Sequence, residues 1–468
     1  MNELCFLPAT ELAQKIRQKE VSAREVVTAH LEHIERVNPK VNAIVTLTAE
    51  QALKDADHAD TVTMRGESLG VLHGLPIAHK DMQLTKGIRT TFGSPIYENF
   101  IPDKNSLIIE RIKNAGAITL GKTNVPEFGA GSQTFNTIFG ATKNPYDLSK
   151  TCGGSSGGAA VGLASGFMSI ADGSDMGGSL RNPANFCNVV GLRPSPGRVP
   201  SYPAEMGWYT LAVDGPMART VSDVALMLSA IAGFDSRSPI SINENGSILN
   251  SRLERNFGDT CLAFVKLGLP YEKEVLQVVE STVPVFEALG CKVEFVEPDF
   301  SDADEIFKTM RTLGFASFLN QEYKNHKDKL KDTVIWNVEQ IGKLTGSYIA
   351  EIEIKRTNLY HRLREFMQKY EFLILPVSQV LPFDVNQPYI TEINDEKMLT
   401  YIDWMKSCYY ISIIGNPAIS VPAGFSSSGL PVGVQIVGRH HDDFGVLQLA
   451  YAFEQATQYW KNHPQVAI

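Results

Sequence analysis

Two serines each follow a pair of glycines within one short stretch: Ser155 in Gly153-Gly154-Ser155-Ser156-Gly157 and Ser179 in Gly177-Gly178-Ser179. A serine hydroxyl becomes a nucleophile when a base takes its proton. Glycine turns let backbone N–H groups close on a developing anion. From Thr151 to Arg181, nine of 31 residues are glycine, against 37 in the whole chain of 468. A helical pattern over 156–165 and an apolar strand over 168–171 lie between the two turns, which puts them at adjacent ends of one helix–strand unit. Gly177-Gly178-Ser179, preceded by Asp175-Met176, supplies successive N–H donors, as the oxyanion hole of acyl transfer requires. The usual base is histidine, and there are ten. His30, His33 and His58 fall on N-terminal helices, and His326, His361 and His463 fall in polar stretches; each reads as a surface or internally satisfied residue. Lys80 is different. It ends an apolar strand and points to the same side as Ala78, where desolvation would favour the neutral amine. Serine–lysine pairs are a known variant of triad logic. Periodicity alone does not connect Lys80 to Ser179.

Two other motifs mislead. Gly116 to Thr123 spell GxxxxGKT, formally a phosphate-binding loop. Residues 117–120 are apolar and β-prone, so they read as the strand and not the loop, and Pro126 interrupts the helix that must follow. Gly153-Gly154-Ser155-Ser156-Gly157 also fits the GxSxG nucleophile elbow. An elbow needs a strand running into its serine, and 144–152 contain no apolar run. The plainer reading is a Gly/Ser loop that opens a helix near Ser156.

Some elements must hold these residues in place. Ser22-Ala23-Arg24-Glu25 is a capping box ahead of Val26, Val27, Leu31 and Ile34, and Thr48 to Gln51 begin a second helix in the same way. The first 64 residues therefore read as a helical segment packed on the core. Beyond them, short apolar runs at 75–78, 117–120, 168–171, 261–265, 293–296, 372–375, 418–421 and 432–437 alternate with helical patterns at 106–115, 220–232, 273–288, 336–370 and 443–456. This alternation predicts an α/β protein: one large α/β/α domain over 65–468, with a mixed twisted sheet covered by helices on both faces. The polar stretch 235–258 is expected to link two halves of that sheet.

Composition narrows the function classes. The net charge is −9 and 43 % of residues are apolar, so a general nucleic-acid binder with a basic face is not expected, nor is disorder. The six cysteines show neither CxxC nor metal-ligand spacing, which suits a reducing compartment and a site without metal. The N-terminus has no signal-peptide pattern, and no apolar run reaches membrane-spanning length. A cytoplasmic location is expected, and Asn245-Gly246-Ser247 reads as a chance sequon.

Taken together, three segments resemble the amidase signature family: Gly153 to Gly158, Gly173 to Ala184, and Val190 to Val199. The likeness extends to Gly74 to Asp81, to Ala115 to Phe128, and to the Asn416-Pro417 and Leu430-Pro431 segments, so it covers most of 65–460. The resemblance implies a Ser–cisSer–Lys triad: Ser179 as nucleophile, Ser155 as the bridging serine with a cis bond from Gly154, and Lys80 as base. It places the oxyanion hole on the N–H groups of Met176, Gly177, Gly178 and Ser179, with Asp175 and Arg181 holding the loop. It implies hydrolysis of a small carboxylic amide through a seryl acyl-enzyme, with no metal and no organic cofactor. Arg193, Ser195 and His79 depart mildly from the family pattern. The expected partner is a small-molecule amide; nucleic acid and membrane are not expected, and a homodimer is compatible. The same resemblance leaves open the amidase subunit of a glutamine-dependent tRNA amidotransferase and related aryl-amide, carbamoyl or cyclic-amide hydrolases. The arginine-pair segment of that subunit is not evident near 336–370. A catalytically silent binding protein is disfavoured, because all three triad positions are present. Phe128, Trp208, Tyr209, Tyr323 and Trp404 are candidates for an apolar pocket, each with ordinary packing as its plainer role.

Overall fold

The computed structural model describes residues 3–67 and 69–468. Eleven strands form one sheet. In chain order they are β1 (Ile44–Leu47), β2 (Pro76–Lys80), β3 (Ile118–Thr123), β4 (Ile170–Asp175), β5 (Val190–Arg193), β6 (Val213–Ala218), β7 (Cys261–Phe264), β8 (Lys292–Phe295), β9 (Phe372–Pro376), β10 (Ala418–Phe425) and β11 (Pro431–Val437). Across the sheet they run β1-β3-β2-β4-β6-β5-β10-β11-β9-β7-β8. The sheet is mixed. β2 lies parallel to both β3 and β4, and β7 lies parallel to both β8 and β9. Antiparallel pairs join these two parallel groups through β6, β5, β10 and β11.

Strand periodicity sends alternate side chains into two separate cores. On β2, Ile77 enters one and Ala78 the other; on β9, Phe372 and Ile374 enter one, Leu373 and Leu375 the other. The first core is closed by helices that include Ala23–Val41, Gly157–Ala164, Ala303–Phe318 and Gly346–Lys369. The second is closed by Ala9–Arg17, Leu107–Asn114, Val221–Ile231 and Asp443–Thr457. Both faces of the sheet are therefore covered, as the strand–helix alternation predicts.

Local chemistry explains where the elements depart from expectation. The capping box at Ser22 forms, with Ser22 Oγ accepting the Glu25 N–H at 3.0 Å and Glu25 Oε2 accepting the Ser22 N–H at 2.8 Å. Thr48 precedes the helix Ala49–Met64 as expected, but its side chain does not cap it; the hydroxyl donates to the Thr119 carbonyl on β3 at 3.2 Å. Inside the N-terminal segment expected to be helical, Ile44–Leu47 is a strand that pairs antiparallel with β3. It is four residues long, too short for periodicity to register. The pattern over 273–288 divides into Lys273–Glu280 and Val283–Ala288, with Pro284, which has no N–H to continue the first helix, in the first turn of the second. The pattern over 336–370 divides likewise into Asp332–Glu339 and Gly346–Lys369, the second capped by Thr345. The GxxxxGKT segment lies in β3 itself, with Gly121, Lys122 and Thr123 all in the strand, so no phosphate loop forms. Residues 235–258 run from the helix Val221–Ile231 to β7 as loop with one short 3₁₀ turn, Gly246–Asn250.

The helix Gly157–Ala164 matters most for the site, because it is buried along its whole length and rests directly on β2 and β3. Glycine makes this approach feasible: a Cβ on Gly158 would fall 2.3 Å from the Asn124 nitrogen. We expect Gly158→Ala to lose about 1–3 kcal/mol in urea unfolding. Gly342→Ala, with nothing within 4 Å of its Cβ, should stay within about 0.5 kcal/mol of the parent.

Candidate active site

Lys80 is the last residue of β2 and is fully buried. Its Nζ donates to Ser155 Oγ at 2.8 Å, Ser174 Oγ at 2.9 Å and Ser156 Oγ at 3.0 Å. No carboxylate lies within ion-pair distance of it among the described residues. Burial therefore dominates and lowers its pKa from 10.5 to about 8, against the opposing pull of Asp214, Asp175 and Asp172. The backbone around it is held from behind. Asp172 on β4 accepts the Lys80 N–H at 3.1 Å and contacts His79 Nδ1 at 2.6 Å, while His79 Nε2 meets Thr119 Oγ1 at 3.0 Å. Alternation on β2 sends the His79 ring away from the serines, so the histidine beside the lysine fixes the strand and does not reach the site.

Ser155 sits on the loop that enters the helix Gly157–Ala164, and the peptide bond from Gly154 to Ser155 is cis. Two side chains fix the approach: Ser132 Oγ donates to the Gly154 carbonyl at 2.7 Å and Thr134 Oγ1 to the Gly153 carbonyl at 2.8 Å. Ser179 lies on the loop between β4 and the helix Arg181–Phe186. Its carbonyl accepts the Ser156 N–H at 3.2 Å, which joins the two serine loops directly. Ser155 and Ser179 line the same cavity. Ser179 Oγ makes no hydrogen bond with any described residue, so Lys80–Ser155 is a formed contact and Ser155–Ser179 is not.

The loop before Ser179 is shaped by one buried carboxylate. Asp175 Oδ1 accepts the Gly178 N–H at 2.9 Å and Oδ2 the Leu180 N–H at 3.1 Å. Arg181 contacts both oxygens, through Nε at 3.1 Å and Nη2 at 3.0 Å, and Arg193 adds a second guanidinium at 3.3 Å. Burial alone would raise the Asp175 pKa; the two guanidiniums outweigh it and hold the carboxyl well below its usual range. This arrangement narrows the expected set of oxyanion donors. The Gly178 N–H is occupied by Asp175, leaving those of Met176, Gly177 and Ser179 without a partner among the described residues.

The cavity above these loops has a volume of about 520 Å³. Phe92, Phe100, Phe128, Phe315 and Phe318 give it aromatic walls. Its charged lining residues are Asp175, Arg311 and Glu322. Of the aromatic side chains proposed from sequence, Phe128 lines it. Trp208 is 77 % exposed, Trp404 packs in the core against Phe383, the Tyr209 hydroxyl donates to the Met310 carbonyl, and Tyr323 hydrogen-bonds Glu339 at the surface. Sequence reasoning missed residues both inside the glycine-rich stretch and beyond it. Ser174 and Ser156 join the lysine cluster, Arg193 joins Asp175, and Phe315, Phe318 and Arg311 arrive on one helix, Ala303–Phe318. No local pattern in the sequence marks these residues for the site. No group of three or more His, Cys, Asp or Glu side chains able to hold a metal occurs among the described residues.

A desolvated amine beside a serine, a second serine at a cavity floor, and unpaired N–H groups next to it form a set suited to acyl transfer. The sequence profile of the family described as Amidase matches residues 25–447. An acylamidase of Rhodococcus erythropolis is 35 % identical over 459 residues, covering 96 % of this chain and 95 % of its own. One component of the glutamyl-tRNA(Gln) amidotransferase of Moorella thermoacetica is 34 % identical over 498 residues, covering all of both chains. The crystal structure of a bacterial aryl acylamidase of the amidase signature family superposes with a TM-score of 0.91 at 28 % identity, covering 97 % of this chain and 98 % of that one. The chain belongs to the amidase family.

Asp175→Asn leaves Arg181 and Arg193 buried without their carboxylate. We expect a loss of about 3–5 kcal/mol in urea unfolding. A loss under about 1 kcal/mol would show that the cluster does not hold the loop.

Proposed function

We propose that this protein hydrolyses linear carboxylic amides through an ester on Ser179, acting without partner chains. The observation that carries the reading is the buried Lys80 amine in hydrogen-bond contact with Ser155, at the floor of a cavity that Ser179 also lines. Neutral Lys80 takes the proton of Ser155 as Ser155 takes that of Ser179, and Ser179 Oγ attacks the amide carbon. The oxyanion is held by the N–H groups of Met176, Gly177 and Ser179. The proton returns through Ser155 to the leaving nitrogen, which departs as amine or ammonia. Water then attacks the ester by the same relay and releases the carboxylic acid. Ser174 and Ser156 orient the amine without supplying a charge, which keeps it available as a base.

The phenylalanine walls suit an aromatic or extended apolar amide, and the similarity to an aryl acylamidase structure supports an aromatic one. A second reading is the amidase component of a tRNA-dependent amidotransferase, supported by full-length similarity to the Moorella chain. A wall of aromatic rings is a poor match for free glutamine. None of the described helices is long and apolar enough to cross a membrane.

A fluorophosphonate probe followed by peptide mass spectrometry is expected to label Ser179; labelling confined to Ser155 would break the assignment of roles. The purified chain should hydrolyse 4-nitroanilides of simple acids. Ammonia released from glutamine only after addition of partner chains would favour the second reading. Ser179→Ala should fall to background, and Ser155→Ala and Lys80→Ala should each lose about 10³-fold or more in kcat. The pH profile follows from the sign of the lysine shift. The neutral base accumulates as pH rises through about 8, so kcat/KM should climb between about pH 7 and 9 and then level. A profile flat through that window would remove Lys80 as the base.

A further inference from the structure

Arg311 is 5 % exposed, lines the cavity, and has no carboxylate within ion-pair distance among the described residues. The other buried arginines show how unusual this is. Arg181 and Arg193 share Asp175, and Arg198 contacts Asp443 and Glu244. Arg219, which also lacks an ion pair, donates to three backbone carbonyls, those of Leu163, Met168 and Leu7. Arg311 has neither kind of compensation. Its Nε donates to Asn337 Oδ1 at 3.0 Å and its Nη2 to the Tyr401 hydroxyl at 2.7 Å, both neutral groups. Its Nη1 has only the Met176 sulfur, at 3.4 Å, a weak acceptor. Phe315 packs under the guanidinium, 4.4 Å from ring centroid to Cζ. A desolvated cation that is oriented on one side and unpaired on the other is suited to an incoming anion.

The charge pattern of the cavity has the same direction. Of its two carboxylates, Asp175 is neutralised by two guanidiniums, and Glu322 accepts the Tyr97 hydroxyl and makes no ion pair with Arg311. The position is equally specific. Nη1 touches the side chain of Met176, whose N–H is one of the three free donors beside Ser179. The guanidinium thus lies near the end of the cavity where the acyl carbonyl would sit. We propose that Arg311 is a specificity-determining residue that binds a carboxylate on the acyl portion of the substrate. The preferred amides are then monoamides of dicarboxylic acids with an apolar or aromatic amine part. This rests on the amide-hydrolase reading for its substrate class, but its test can be separated from that reading.

The first measurement is titration calorimetry on the Ser179→Ala protein, with succinanilate against its methyl ester. The acid is expected to bind about tenfold tighter or more; an ester that binds as well as the acid overturns the proposal. Arg311→Met should abolish the preference and Arg311→Lys should keep part of it. Should Arg311→Met fail to fold, the acid–ester comparison in Ser179→Ala alone decides. 4-Acetamidobenzoate, with its carboxylate on the amine side, should gain nothing over its methyl ester; a gain confined to this isomer overturns the acyl-side placement. Turnover of succinyl-4-nitroanilide and its methyl ester by the wild-type chain separates the two readings. Tight binding of the acid without hydrolysis sustains the carboxylate site and removes the hydrolase reading. Equal hydrolysis and equal binding of acid and ester do the reverse.

Discussion

Removing the Lys80 amine from water is the constraint on which the rest of the site depends. An ammonium at the end of a buried strand is costly unless an anion pairs with it. Here its near neighbours are hydroxyls from Ser155, Ser156 and Ser174, with the Ser174 carbonyl farther off. These partners accept from the amine without stabilising its charge enough to offset burial, so the neutral form gains ground near neutral pH. The parallel packing of β2 against β3 and β4 brings Ser174 alongside, and the glycine-rich helix resting on the sheet brings Ser155 and Ser156. A Cβ at Gly158 would clash with the Asn124 and Ala43 backbone beneath that helix.

The second requirement is a rigid loop for the nucleophile, and electrostatics supply it. Asp175 stays ionised in a buried site because two guanidiniums face it, and its two oxygens fix the turn on which Ser179 sits. Arg181 carries the restraint outward, to the Cys408 carbonyl, Ser412 and Gln435 on elements remote in sequence. Fixing the loop by this means uses one glycine N–H and leaves its neighbours free. The same bonds that hold the loop thereby decide which backbone groups remain for an oxyanion.

Family membership and the geometry agree on amide chemistry, while the cavity walls bear on which amide. The aromatic walls come from three regions outside the glycine-rich stretch: the loop that carries Phe92 and Phe100, the turn Glu127–Gly129 that carries Phe128, and the helix Ala303–Phe318. Relatives of similar identity that differ in activity, an acylamidase and a component of an amidotransferase, share the catalytic fold with this chain. The role proposed for Arg311 places one substrate-selecting group in those walls.

The sequence alone determined the α/β alternation, the lysine strand and the two serine turns, because each is a local pattern. Short continuous apolar runs, a capping box and glycine pairs are all readable within about ten residues. The resemblance then connected Lys80 to Ser155 and Ser179, a link that periodicity could not make. Tertiary structure alone decided the short edge strand Ile44–Leu47, the division of two long helical patterns, and the occupation of the Gly178 N–H by Asp175. It also decided the pocket: Trp208 and Trp404, both candidates from the sequence, lie at the surface and in the core, while Phe315 and Arg311 line the cavity. The physical reason is range. Backbone propensity and side-chain alternation act between neighbours in the chain, whereas desolvation, ion pairing and cavity lining depend on residues far apart in the chain meeting in space.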